Sequence, residues 1–165
     1  MTDLPFFVYG TLLPGQPNYR LWGESISRME YGRIKDCQLF DMGAYPMLVE
    51  SKEKYVHGML VFVIPEHTNE MIIKIDELEG YDPEKHGESA YNREMREVEL
   101  ESKKTVTVWV YLGHKKYIDQ ERPVPGGKWA KHVARKKKEH QDWWEDRSEE
   151  HTSELQSQAD LVCRL

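Results

Sequence analysis

Apolar residues along this chain fall mostly into short runs, not long helical stripes. Residues 6–9, 31–41, 47–50, 55–64, 98–100 and 105–112 are rich in β-branched and aromatic side chains, and some alternate with polar positions. Such runs predict strands, at least five of them. One segment has the other period: Met71, Ile72, Ile75 and Leu78 recur at helical spacing, which predicts a helix over about 68–78. Thr68 or Asn69 is placed to cap it, and Gly80 to end it in a left-handed conformation. So many strands with so little helix between them imply an α+β fold with a curved, largely antiparallel sheet or barrel, not a doubly wound parallel sheet.

The same helical period sorts the acids of that segment. At about 100° per residue, Glu79 follows Ile72 by two turns and Ile75 by one, which puts it on the apolar face. Glu70 and Glu77 fall on the opposite side and Asp76 at the border. Burial raises a carboxyl pKa, and a raised pKa suits a group that must take and return a proton near neutral pH. If the helix frays before its end, Glu79 stands in solvent instead or caps a neighbouring loop.

The first apolar run stops at Gly10, and Pro14-Gly15 closes a turn soon afterwards. Without a side chain, Gly10 lets a ligand approach the main chain, and successive N–H groups in such a turn can converge on a carboxylate. The plainer alternative is a first strand entering an ordinary loop. Residues 18–22 begin a short helix or an irregular turn, with Asn18 and Tyr19 read as loop packing. Cys37 reads as a small, half-buried hydrophobe without an activating His beside it. Residues 81–89 form a charged connection longer than a minimal one, as suits a lid beside a pocket.

Composition narrows the function. The 165 residues fit one domain, with 39% hydrophobic and 32% charged residues and a net charge of −6. No apolar stretch is long enough for a membrane span, and residues 1–5 lack the basic start and apolar centre of a secretory signal; a cytoplasmic protein with no membrane partner is expected. Two cysteines are too few for a disulfide framework, and the seven histidines have no ligand-like spacing, so no metal is implied. The basic run at residues 131–138 raises nucleic acid as a partner. The acidic whole and the lack of interleaved aromatics favour a solvated helix and no nucleic acid.

Several short segments, in order, carry a family resemblance: Tyr9-Gly10-Thr11-Leu12, Gly43-Ala44-Tyr45-Pro46, Val56-His57-Gly58-Met59-Leu60, Ile75-Asp76-Glu77-Leu78-Glu79-Gly80-Tyr81, Tyr91-Asn92-Arg93 and Val108-Trp109-Val110-Tyr111. Over residues 5–130 the chain resembles the gamma-glutamylcyclotransferase-like family, which includes gamma-glutamylamine cyclotransferase and plant AIG2-like proteins. The late Gly-x-Trp turn ending at Trp129 fits as well, and Ile75 departs conservatively from the usual Leu.

The resemblance implies a small mixed, mostly antiparallel β-barrel with flanking helices. It implies cyclisation of a gamma-glutamyl group to 5-oxoproline with expulsion of an amine or amino acid, without metal or cofactor. It places the catalytic acid at Glu79 and the substrate between the Tyr9, Gly10, Thr11 and Leu12 loop, Tyr45 and Tyr91, with Arg93 open to a structural ion pair. A non-catalytic small-molecule or protein-binding domain on the same scaffold is the alternative. Oligomeric state is left open.

The expected organisation is a domain over 1–130, a charged helical segment over 131–146 and a tail over 147–165. That tail resembles a translated short-read sequencing adapter, both in Arg147 to Ser157 and in Leu161 to Leu165. It is set aside as an artefact of sequence assembly.

Overall fold

Five strands close into a barrel in the computed structural model, which describes residues 3–118 and 121–146. In chain order the elements are β1 (Phe6–Val8), β2 (Ile26–Asp41), β3 (Pro46–Val63), α1 (Thr68–Glu79), β4 (Asn92–Leu100), β5 (Thr105–Leu112) and α2 (Trp129–Asp146). Around the barrel the strands run β1-β3-β2-β4-β5. All pairs are antiparallel except the closing one, where β1 meets β5 in parallel with Phe6 opposite Trp109. The Trp109 amide donates to the Pro5 carbonyl there at 2.9 Å. The mixed, mostly antiparallel barrel expected from the sequence is therefore present. The possible tail at 147–165 lies outside the described residues.

Local differences from expectation have physical causes. The two runs at 47–50 and 55–64 belong to one long strand, β3, which pairs with β2 from Pro46 to Val63 with register shifts between Ile26 and Arg28 and between Lys35 and Cys37. Asp36 takes positive φ at the second of these and accepts the Glu53 amide on its carboxylate, so the polar interruption between the two runs is an irregularity within the ladder and not its end. Strand β4 begins six residues earlier than its apolar content suggests, because its first half is charged and pairs through the backbone with β5. Neither Thr68 nor Asn69 caps α1. A single 3₁₀ turn at Pro65–His67 runs straight into the helix, so Thr68 is already helical and His67 is the boundary residue. Gly80 ends the helix in the left-handed conformation with φ 68°, as expected.

The core gathers the inward faces of all five strands with Met71 and Ile75 of α1 and with Trp22 and Trp129. Cys37 belongs to it, more deeply buried than half, and burial pushes its thiol up to about 12. The segment before α2 is sewn to the barrel by the Val124 amide donating to Leu39 and by a bridge between Phe40 and Pro123. No helix among the described residues is long and apolar enough to cross a membrane.

Candidate active site

A cavity of about 160 Å³ opens where the loop after β1, the β2–β3 turn and the C-terminal turn of α1 meet. All seven site residues expected from the sequence line it: Tyr9, Gly10, Thr11, Leu12, Tyr45, Glu79 and Tyr91. Among its lining residues Glu79 is the one charged side chain. An anionic group held here would meet neutral dipoles, not a lysine or arginine.

The first loop is a turn in which the Leu13 amide donates to the Gly10 carbonyl at 3.0 Å. Its carbonyls are held from behind. Thr11 O accepts the Asn18 amide at 2.9 Å, Leu12 O accepts the Trp22 indole N–H at 3.1 Å, and Asn18 Nδ2 donates to Thr11 Oγ1 at 3.0 Å. The amides of Gly10, Thr11 and Leu12 have no acceptor among the described residues. Backbone N–H groups at a partly buried site want a partner, so this loop is an acceptor-seeking surface. The reason for Gly10 differs from the one expected. A Cβ there would stand 2.5 Å from Pro46 Cγ, so the space is filled by the proline of the opposite wall and is not left for a ligand.

Helix α1 is locked in rotation by Asp76. Its carboxylate accepts the Tyr111 hydroxyl at 2.6 Å and Arg93 Nε at 2.9 Å, which ties the helix to β5 and to β4. The helical phase put Asp76 at the border of the apolar face. In the fold it is buried, because these two strands supply partners for it. With Asp76 pinned, Glu79 one turn later is aimed at the cavity. It is half-buried, and no hydrogen-bond donor or cation among the described residues holds its carboxylate. Burial alone pushes it up to about 7.

Three phenols surround this acid, and each is engaged elsewhere. Tyr9 donates to the Tyr111 carbonyl at 2.7 Å, Tyr91 to the Pro46 carbonyl at 2.9 Å and Tyr111 to Asp76. Burial raises all three above the ordinary tyrosine range, and the nearby Glu79 charge adds to the effect. These are walls with fixed orientations. Tyr45 stands at the mouth, 45% exposed, with its ring edge-on to Tyr91 at 6.2 Å. Leu78, expected in the core, is also at the mouth and 41% exposed.

Residues 81–89 do not line the cavity, so the long charged connection is not a lid over it in this structure. Asn18, read from sequence as loop packing, lines the cavity and braces Thr11. Tyr111, which the sequence marks only as the end of the Val108 to Tyr111 segment, lines the cavity too: strand alternation assigns a face, but not which end of the barrel a residue reaches. Arg93 forms the structural ion pair that its motif left open.

Comparison with known proteins gives a consistent picture. A family model described as "Gamma-glutamyl cyclotransferase, AIG2-like" matches residues 6–131. A Vibrio cholerae protein named "Putative gamma-glutamylcyclotransferase" is 33% identical over 106 residues, spanning 64% of this chain and 78% of that one. Among solved structures, YkqA from Bacillus subtilis superposes with a TM-score of 0.61 at 22% identity, over 83% of this chain and 43% of YkqA. This chain thus spans less than half the length of YkqA. An AIG2-like protein from Mus musculus superposes with a TM-score of 0.52 at 24% identity, covering 66% and 76% of the two chains. These two structural likenesses bear on the fold alone.

Proposed function

The chain belongs to the gamma-glutamyl cyclotransferase, AIG2-like family and is an enzyme of that type; on that premise we propose that it cyclises a gamma-glutamyl amine or peptide to 5-oxoproline, with Glu79 as general base and then general acid. One observation carries the reading. A carboxyl pushed by burial up to about 7, unpaired among the described residues, shares a small cavity with three backbone amides that lack acceptors among those residues.

The chemistry assigns each part a task. The amides of Gly10, Thr11 and Leu12 donate to the glutamyl α-carboxylate, and the tyrosine walls hold the side chain folded so that its own α-nitrogen faces the γ-carbonyl. Glu79 takes a proton from the α-ammonium, and the freed amine attacks the γ-carbon. As the tetrahedral intermediate collapses, the bond from the γ-carbon to the departing nitrogen breaks and Glu79 returns the proton to that nitrogen. The ring nitrogen then gives its second proton to the Glu79 carboxylate, which passes it to the released amine. The products are 5-oxoproline and a free amine, and no water is consumed. Because both reacting groups belong to one bound molecule, orientation accounts for much of the rate.

The test is a panel of gamma-glutamyl amines, dipeptides and glutathione, with detection of 5-oxoproline. Release from at least one of them is expected, and it should vanish in Glu79→Gln. No product from any substrate, or full activity in that variant, refutes the reading.

A further inference from the structure

The β2–β3 turn that carries Tyr45 is held from outside the barrel. Asp41, the last residue of β2, is only 6% exposed, and its carboxylate is fully engaged. Oδ1 accepts the Gly43 amide at 2.8 Å, inside the turn. Oδ2 accepts His132 Nε2 at 2.8 Å and Lys136 Nζ at 2.7 Å, both from α2. The Met42 amide donates to the Tyr45 carbonyl at 2.9 Å and closes the turn. Beyond it, Ala44, Tyr45 and Pro46 form one side of the cavity, and Pro46 also packs on Gly10 and accepts the Tyr91 hydroxyl.

The face of α2 is built for this contact. Trp129, His132, Val133 and Lys136 lie along one side at helical spacing, with Trp129 buried and Val133 packed on the core. The His132 ring bridges two neighbours, with Nε2 against Asp41 and Nδ1 2.9 Å from Arg135 Nη2. Burial works against the Asp41 charge, but the Lys136, His132 and Gly43 donors outweigh it and hold the carboxyl below its ordinary range. The family match stops at residue 131, before either side chain that grips Asp41.

We propose that α2 is part of the substrate site: His132 and Lys136 are positioning residues that act through Asp41 to hold the Tyr45 wall in place. The proposal rests on the cyclotransferase reading for its effect on substrate, but not for the tether itself. Asp41 and α2 do not touch the reacting atoms, so loosening them should alter how substrate is seated and leave the proton transfers of Glu79 intact.

The experiment compares Asp41→Asn, Lys136→Met and the charge-keeping Lys136→Arg on the full chain, using whichever substrate in the panel is turned over. Asp41→Asn and Lys136→Met should raise KM roughly tenfold with kcat within about twofold, and Lys136→Arg should restore KM. Partial unfolding would instead lower the apparent kcat at unchanged KM. Amide hydrogen exchange supplies a second measurement that needs no turnover: in Asp41→Asn the Gly43 and Met42 amides should lose protection while those of β4 keep theirs. Unchanged KM in folded variants, or unchanged protection at Gly43, overturns the proposal. If the unaltered chain releases no 5-oxoproline, the cyclotransferase reading fails by itself and the exchange result alone decides whether α2 holds the wall.

Discussion

Asp76 and Glu79 sit one turn apart on the same helix, yet the fold treats them in opposite ways. Asp76 is buried among partners: a guanidinium from β4 and a hydroxyl from β5 converge on it. Glu79, half-buried, stands beside phenols whose hydroxyls are already spent on other groups, and no donor among the described residues holds it. The first arrangement anchors a helix. The second leaves a carboxyl near 7, able to exist in either protonation state at neutral pH. Burial by itself therefore does not mark the proposed acid; burial without a partner among the described residues does, and here the paired acid is what aims the unpaired one.

The contrast can be broken most forcefully at Glu79. Glu79→Gln should reduce kcat by roughly 10²–10⁴-fold in a steady-state 5-oxoproline assay, since it removes the proton carrier and leaves the shape unchanged. Asp76→Ala should act first on stability. Leaving Arg93 buried without its carboxylate should cost about 3–5 kcal/mol in urea unfolding, and activity should fall as α1 loses its rotational lock.

The pH dependence sharpens the comparison further. A carboxyl whose folded pKa is raised from 4.5 to about 7 favours the folded state in its neutral form. Its contribution is fully present below about pH 4.5 and is lost as pH rises through about 7. Glu79→Gln should thus be more stable than the unaltered chain at pH 8, by at most about 3 kcal/mol, with the gap closing toward pH 4 in thermal melts. Over the same range kcat/KM of the unaltered chain should rise with an apparent pKa near 7, and this rise should be missing in the variant. The smallest effect is expected from Asn18→Ala, which frees the Thr11 hydroxyl and should weaken substrate binding by about 1 kcal/mol, seen as a several-fold higher KM.

Much of this architecture is written locally. Runs of β-branched and aromatic residues predict their strands because a pleated, half-buried surface favours them wherever they occur, and the period of Met71, Ile75 and Glu79 puts an acid on the inner face of α1 because the helix repeat is the same in every protein. Gly80 likewise marks a stop that depends only on its own backbone freedom. The sequence did not disclose which of two neighbouring acids would find partners. It also did not disclose that Gly10 is needed for Pro46, that Asn18 would brace Thr11, or that a charged helix near the end would reach back to Asp41 at the base of the Tyr45 turn. Those pairings join residues up to 95 positions apart. They exist only once the barrel has closed, because hydrogen bonds and packing depend on distances in space that no local pattern of side chains encodes.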